Sequence, residues 1–428
     1  MRLLPVLLAA SLLPLSAIAT TERSLSPITV DSQGHKAFGH ALPALSDDGF
    51  VRMHRGKLVF VRTWEAAGSG TSHGGHTGLG PLYNATSCAD CHYRDGRGAR
   101  DGGPTPLIYG LRDVPSVPAS WGQQLQTFGA GVSPEGAVSI EYREHEVHLG
   151  DGTSHTLRQP RYALVGRDDA DALAPRTAPT LIGLGLLEAI AAADIVAAAD
   201  PHDRDADGIS GRVSWLPGTD SLAPVVGRFG WKATQRDLPE QIAKALAEDM
   251  GIDSRRWVGT RGPTEITDQD FDRLVEYVRV LAPPAPRRDD PLYTSGKAAF
   301  NALGCADCHR AEWTLPQTVK AHAPWLPPGV GGENIAPYTD LLLHDLGPAL
   351  ADGDGQDERS REWRTPPLWG LGLMSAVNGN LRLLHDGRAH SFEEAILWHG
   401  GEAREARAGF QALQAEQRRA LLAFLESI

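Results

Sequence analysis

The sequence predicts a mainly α protein of two tandem helical domains, the first enlarged by a β-hairpin and loop insertions. Three observations predict this architecture. The pentapeptide Cys-Ala-Asp-Cys-His occurs twice, at 88–92 and at 305–309. A proline-anchored segment follows each copy, and each half ends in an amphipathic helix. With 428 residues, the chain is long enough for two or three domains.

Apolar spacing predicts the helices that close the two halves. From about Thr267 to Leu281 apolar residues recur at helical intervals, and aspartates in the first turn suit the positive end of a helix. The second helix runs from about Ala415 to Ser427. Prolines at 283, 284 and 286 end the first helix, so we place the domain boundary near residue 287. The predicted divisions are a leader at 1–19 and domains at 20–286 and 287–428.

Two further pairs of segments indicate an internal duplication. A helix-like stretch around a Gly-Lys precedes each pentapeptide, at 55–60 and 295–300. The pattern Pro-x-Leu-x-Gly-Leu-Gly-Leu follows each one, within 176–187 and 364–374. We therefore expect the two halves to share one plan.

A β-hairpin is predicted within the first half. Apolar and polar residues alternate over 138–142 and again over 147–149, with a lapse at 144–146. Gly150-Asp151-Gly152 then turns the chain towards 156–158. This segment has no counterpart in the second half and accounts for part of the size difference.

The amino terminus has the pattern of a secretory signal peptide. Arg2 precedes an apolar run through Leu15, and Ala17-Ile18-Ala19 supplies small residues for cleavage. The run is too short to cross a membrane, and no other segment is apolar enough. We therefore expect a periplasmic mature chain without a transmembrane segment. The net charge of -12, without a basic tract, argues against nucleic-acid binding.

The two pentapeptides indicate covalent haem. In C-x-x-C-H each thiol forms a thioether to a porphyrin vinyl group, and the histidine supplies an imidazole to the iron. The sequence therefore predicts two haem c groups, attached in cytochrome c-like domains. The attachment residues are Cys88, Cys91, His92, Cys305, Cys308 and His309. Two alternatives are one zinc site with four cysteine ligands and a dithiol redox centre, but neither explains the trailing histidines.

Several longer motifs resemble the di-haem oxidoreductase family within the di-haem cytochrome c peroxidase superfamily. Members are often labelled peroxidases or thiol oxidoreductases. The resemblance extends from about residue 37 to the C-terminus and is carried by 78–84, 183–190, 227–232, 249–252, 384–389 and 393–401. It implies that a small redox protein donates electrons to the C-terminal haem and that the N-terminal haem reduces hydrogen peroxide or a related oxidant. Two alternatives stay open, a non-catalytic di-haem electron-transfer protein and an oxidase of a protein substrate.

The resemblance also implies distal iron ligands. In the superfamily the C-terminal haem takes its distal ligand a few residues after a Leu-Glu-Glu-Ala-like run, and His399 stands at that position here. The alternative is a histidine at a helix end near the negative pole of the helix. Met250 follows the family's helix in the first half and is a candidate ligand there, although a methionine at helical spacing is often a core residue.

Peroxide cleavage needs a group that moves a proton between the two oxygens. Glu240 matches the acid of the family's Leu-x-Glu-Gln segment. Glu188 follows the first proline-anchored segment, where the second half has Ser375. We expect one of these two glutamates to be the catalytic acid–base group. Each is otherwise a surface residue or a structural ion-pair partner.

The string Asp203-Arg204-Asp205-Ala206-Asp207-Gly208 has the spacing of a calcium loop. Carboxylates on alternate residues converge on one cation, and the glycine permits the turn. Asp203, Asp205 and Asp207 are therefore candidate calcium ligands. The bidentate glutamate expected at the twelfth position is replaced by Ser214, and such strings also occur as solvated turns.

Overall fold

A computed structural model describes residues 26–66, 76–98, 107–112, 117–167, 172–218, 223–257, 266–318, 323–353 and 355–428. The predicted signal peptide lies outside these residues. The α-helices within them are α1 (Asp47–Phe60), α2 (Cys88–Cys91), α3 (Leu184–Ala189), α4 (Ala192–Ala198), α5 (Leu238–Met250), α6 (Asp268–Arg279), α7 (Tyr293–Ala302), α8 (Cys305–Cys308), α9 (Glu358–Arg361), α10 (Met374–Asn378), α11 (Phe392–Trp398), α12 (Arg404–Ala412) and α13 (Ala415–Ser427).

The strands of the described residues pair two by two. The pairs are Trp64–Ala66 with His76–Leu79, Leu82–Tyr83 with Phe128–Gly129, Leu107–Leu111 with Leu173–Thr177, Val138–His148 with Ser154–Leu164, Trp215–Leu216 with Val225–Val226, Trp313–Thr314 with Asn334–Ile335, and Leu343–Asp345 with Glu362–Arg364. The first pair is parallel and the others are antiparallel.

The prediction of a mainly α fold is wrong. The chain is 34% helical and 19% strand, and the strands form many small sheets. The physical reason is that the long connections between helices contain backbone groups that need hydrogen-bond partners, and they pair with one another as short strands. The hairpin adds the largest share of strand. It is an uninterrupted eleven-residue pairing, so the lapse in alternation at 144–146 does not break the ladder.

Each half is built on a pair of crossed helices, α1 with α6 and α7 with α13. Both predicted closing helices are confirmed, and Thr267 caps α6 by accepting from the backbone N–H of Asp270. Glycine is required at each crossing. A Cβ on Gly56 would lie 2.2 Å from the Arg273 carbonyl oxygen, and one on Gly296 would lie 2.1 Å from that of Ala420. The Gly-Lys pairs of the sequence therefore mark matched helix crossings.

The two proline-anchored segments make matched turns against these helices. Gly183 and Gly370 precede the next helical turn with φ of 69° and 73°, a left-handed conformation that glycine adopts without steric cost. Two residues later, a Cβ on Gly185 would lie 2.0 Å from the carbonyl oxygen of Arg279, at the end of α6. A Cβ on Gly372 would likewise clash with the carbonyl oxygen of Glu426, near the end of α13. The predicted duplication is therefore present in three dimensions.

The hairpin reaches from the first half to the second. Its turn donates a backbone hydrogen bond of 2.6 Å from Gly150 to Gln411, and Asp151 pairs with Arg418 of α13. Leu149 and Leu157 are buried in the same apolar cluster as second-half residues. The hairpin thus joins the halves. In the described part of the chain, no helix combines the length and the apolar character needed to span a bilayer.

Candidate functional site

The two pentapeptides fold alike. Each forms a one-turn helix, α2 or α8, with its histidine at the carboxyl-terminal cap. The four thiols are free. A phenylalanine from the crossed helices lies near each histidine: Phe60 is 6.4 Å from His92, and Phe300 is 6.4 Å from His309, between ring centroids. The same donor set, two thiols and an imidazole beside an apolar wall, is therefore built twice.

Each imidazole is oriented by a backbone carbonyl. His92 Nδ1 is 2.9 Å from the carbonyl oxygen of Pro179, and His309 Nδ1 is 2.9 Å from that of Tyr338. A carbonyl only accepts, so Nδ1 carries the proton and Nε2 keeps its lone pair for a metal. Burial lowers the pKa of both His92 and His309 to about 4, which keeps the imidazoles neutral. These residues fit the proximal ligand and attachment set of haem.

The zinc alternative does not fit this geometry. A four-cysteine zinc site needs all four sulfurs around one point. Among the described residues, which include every cysteine, the close group of metal-binding side chains is that of Asp203, Asp205 and Asp207. The two cysteine pairs therefore belong to separate centres.

His399 lies on the second centre. It caps the carboxyl end of α11, is desolvated, and is close enough to His309 to disfavour protonation of that imidazole. Its Nδ1 is 2.7 Å from the carbonyl oxygen of Ala395, so its Nε2 is also left unprotonated. Two neutral imidazoles near one another would both be available to hold a metal. This geometry suits the predicted distal ligand.

The turn before α11 is repeated before α5. Phe229 forms a β-bridge with Gln235, and Leu383 forms the equivalent bridge with Ala389. The second and fifth residues of each bridged turn have positive φ. The values are 77° at Gly230 and 51° at Ala233 in the first turn, and 68° at Leu384 and 74° at Gly387 in the second. Asp237 and Ser391 then cap the two helices at the same step. The two segments therefore correspond with an offset of 154 residues.

This correspondence places Ala245 where the second half has His399. An alanine has no donor atom for a metal. Met250, the other candidate ligand, lies five residues further along, at the end of α5. It is 3% exposed within an apolar cluster that includes Phe60, Leu246 and Tyr277. That burial suits a core residue, and its role as a ligand stays a prediction.

Both candidate glutamates are held by arginine. Glu188 accepts from Arg279 at 2.6 and 2.9 Å and from the backbone N–H of Leu238 at 2.9 Å, so both of its oxygens are engaged. Glu240 accepts through Oε2 from the backbone N–H of Arg236 at 2.8 Å and from the Arg236 Nε at 2.9 Å, while its Oε1 accepts from the same guanidinium at a longer 3.3 Å. Its side chain is 23% exposed, against 5% for that of Glu188. Glu240 is therefore the less constrained of the two.

The backbone contact of Glu240 is itself duplicated. Glu394, its counterpart, accepts from the backbone N–H of His390 at 2.6 Å. Two amides, in contrast, are specific to the first half. Gln235 and Gln241 correspond to Ala389 and Ala395, and the Oε1 of Gln241 is buried without a partner in the described structure. Sequence reasoning missed both, because the register that pairs the two helices comes from the duplicated turn.

Asp203, Asp205 and Asp207 come together as predicted. One carboxylate oxygen from each lies within 4.8 Å of the other two, and Asp203 accepts from the backbone N–H of Gly208 at 3.2 Å. Burial raises the pKa of Asp307, in the second pentapeptide, and Asp205 and Asp207 raise it further. This influence indicates that the loop lies beside the second centre. Asp203 is half-buried, whereas Asp205 and Asp207 are exposed, as acidic groups without an ion often are.

Two centres of matched geometry, each with two thiols and a backbone-held imidazole, define a redox protein with two haem groups. The family model described as "Di-haem oxidoreductase, putative peroxidase" matches residues 19–106, 163–260 and 254–428. The chain belongs to this family, which confirms the resemblance read from its motifs.

Solved structures give weaker likenesses. Hydrazine synthase of Kuenenia stuttgartiensis has 14% identity and a TM-score of 0.40, over 100% of this chain and 99% of that chain. The diheme peroxidase BthA of Burkholderia thailandensis has 16% identity and a TM-score of 0.29, over 66% of this chain and 92% of that chain. No curated protein matches the chain.

Proposed function

We propose that the protein is an exported di-haem c-type oxidoreductase that reduces hydrogen peroxide or a related oxidant at the first centre. Electrons enter through the second centre from a small redox protein. Haem, when bound, supplies an iron that holds the oxidant and passes electrons to it. The thioethers would form at Cys88, Cys91, Cys305 and Cys308, with His92 and His309 as proximal ligands.

The observation that carries this proposal is Ala245 at the position of His399. In a duplicated protein, equal halves would carry equal ligands. His399 offers a donor atom at the second centre, whereas Ala245 offers only a methyl group at the first. An iron that has ligands on both faces transfers electrons, but a small substrate needs an open face. The second centre would therefore transfer electrons, and the first would bind the oxidant. The first-half amides of Gln235 and Gln241 add polar groups near the same helix.

Among the chain's acids, Glu240 is the better candidate for the proton-moving group. Its Oε1 is loosely held, and proton transfer requires an oxygen that can exchange partners. Glu188 is the second candidate, but its two oxygens already serve Arg279 and the start of α5. Calcium at Asp203, Asp205 and Asp207 is a further part of the proposal, supported by the convergence of their oxygens.

The resting ferric spectrum, combined with a turnover assay, tests the function. We expect one low-spin haem and one haem with a high-spin component. Peroxide should then be reduced at the expense of a reduced cytochrome c donor. Two low-spin haems without peroxide turnover, before and after partial reduction, would instead favour the non-catalytic electron-transfer function.

A further inference from the structure

A cluster of buried and half-buried charges lies where the two halves meet, and positive charge is in excess there. At its centre the rings of Trp363 and His385 stack, with centroids 3.8 Å apart. The guanidinium of Arg176 and the ammonium of Lys232 lie over the Trp363 ring, at 4.6 and 3.7 Å from its centroid. Both cations also pair with Asp352, at 2.7 and 3.4 Å.

Two more arginines complete the cluster. Arg388 pairs with Asp386 at 2.9 Å, and Arg97 donates to the carbonyl oxygen of Leu384. All four cations act on the buried His385 ring, which stays neutral because burial and these cations lower its pKa. Four cations thus face two carboxylates, an excess of two positive charges. The neighbouring carboxylate of Glu362 is committed to Arg212 at 2.6 Å.

Buried donors in the same cluster lack acceptors. Arg97 is 7% exposed and Trp363 is 4% exposed, yet Arg97 Nε and Trp363 Nε1 have no hydrogen-bond partner in the described structure. An uncompensated buried cation and an unpaired buried donor each cost free energy. A ligand with acceptors only and two negative charges would satisfy both requirements. Arginine and carboxylate form the strongest pairing of this kind.

The position of the cluster identifies the source of the carboxylates. Arg97 follows His92 by five residues, and Arg176 precedes by three residues the Pro179 carbonyl that orients His92. We infer that the cluster of Arg97, Arg176, Lys232 and Arg388 binds the two propionate carboxylates of the haem at the first centre. One residue of the second half, Arg388, thereby helps to hold a cofactor attached to the first. This inference rests on haem at the first centre but not on the reaction with peroxide.

Arg97→Gln and Arg97→Lys test this inference after haem content has been measured by absorbance. Arg97→Gln removes a positive charge beside the porphyrin, so the ferric state gains stability. We expect the reduction equilibrium of one haem to shift about tenfold towards ferric, which is about 59 mV for one electron. Arg97→Lys keeps the positive charge, so its reduction equilibrium should stay close to that of wild type. The propionate bands in the resonance Raman spectrum should change in Arg97→Gln without any substrate.

Arg228→Gln is the matched control. Arg228 is a half-buried first-half arginine that donates to three backbone carbonyls, at Leu187, Glu188 and Ile190, so its loss should leave the propionate bands unchanged. A titration with acetate distinguishes a haem propionate from a free carboxylate in solution as the group that the cluster binds. A saturable effect of acetate on wild type that Arg97→Gln abolishes would show a free-anion site and overturn the propionate assignment. A folded, fully haem-loaded Arg97→Gln protein with unchanged potentials and unchanged bands would overturn it as well.

Discussion

The backbone N–H of Thr177 donates a 2.7 Å hydrogen bond to the carbonyl oxygen of His385. The duplicate of this bond runs in the opposite direction, from the N–H of Arg364 to the carbonyl oxygen of Trp231 at 2.9 Å. Each half therefore uses the turn of the other half to complete its own proline-anchored strand. These two backbone bonds join the halves in a reciprocal way.

Removing one pair of thiols should remove one haem. Protein matured with a c-type system should carry two porphyrins that survive acid-acetone extraction. Changing Cys88 and Cys91 to Ala should leave one, and changing Cys305 and Cys308 to Ala should leave the other. Intact mass measures the result. A wild-type mass without porphyrin, or with zinc in its place, would end the haem interpretation.

His399→Met should raise the potential of one haem, because a thioether ligand favours the ferrous state relative to imidazole. The potential of the other haem should stay nearly constant, and redox titration followed by absorbance measures both. Because His399 Nδ1 is bonded to the Ala395 carbonyl, Nε2 is the nitrogen that would hold the iron. His399→Ala removes this nitrogen and should therefore convert one low-spin haem to high spin. Unchanged potentials and unchanged low-spin signals would show that His399 is not a ligand.

Ala245→His tests whether the first centre is open. The new imidazole stands at the position equivalent to His399, so it should close the first iron, remove the high-spin signal and suppress peroxide reduction. Electron entry at the second centre should be unaffected. The matched control is Ala247→His on the same helix, which faces a different direction. Equal effects of both substitutions would mean that helix disruption, and not ligation, is being measured.

Glu240→Gln should slow peroxide reduction by about a hundred- to ten-thousand-fold, because the amide cannot move the proton. Cyanide binding to the ferric protein should change far less. Glu394→Gln is the control, since Glu394 makes the same backbone contact in the second half. If the two variants lose activity equally, the effect is structural and Glu240 is not the acid.

Glu188→Gln separates the second candidate acid from a structural ion pair. The side chain is 5% exposed and joins α3 to α6 through Arg279, so we expect a loss of about 3–5 kcal/mol in the free energy of unfolding. Urea titration measures it. A large loss of turnover with unchanged stability would instead assign the proton-moving role to Glu188.

Calcium removal should lower the thermal stability of wild type. A ligand present at a hundredfold excess over its Kd stabilises the folded state by about 2.7 kcal/mol. Asp205→Asn should abolish the difference between chelated and calcium-loaded protein. If calcium changes neither the melting temperature nor the calorimetric heat of wild type, the loop is an ordinary solvated turn.

Local patterns in the sequence predicted much of this structure. The closing helices, the helix-like Gly-Lys stretches and the hairpin all depend on residues close in the chain, so spacing is sufficient to predict them. The short strand pairs were missed because two- and three-residue strands have no periodicity, and their partners are selected by tertiary proximity. This is why the mainly α prediction failed.

The site shows the same division. His92 and His309 were found because a fixed spacing marks them. The Pro179 and Tyr338 carbonyls that orient them were not, since any residue has a carbonyl. The contacts of Arg97, Trp363 and His385 depend on how the halves dock, which no local pattern encodes. The correspondence of Ala245 with His399 can be recognised only from the duplicated turn, because its bridges and positive φ values are visible only in three dimensions.

The reciprocal bonds between the halves constrain the order of assembly during synthesis. The strand that ends at Thr177 is made before the second pentapeptide, but its acceptor at His385 emerges only after that pentapeptide has been made. Until then the backbone N–H of Thr177 lacks this acceptor, even if the cofactor of the first half is already attached. A chain truncated before residue 385 should therefore be a protease-sensitive fragment and not an independent one-haem cytochrome.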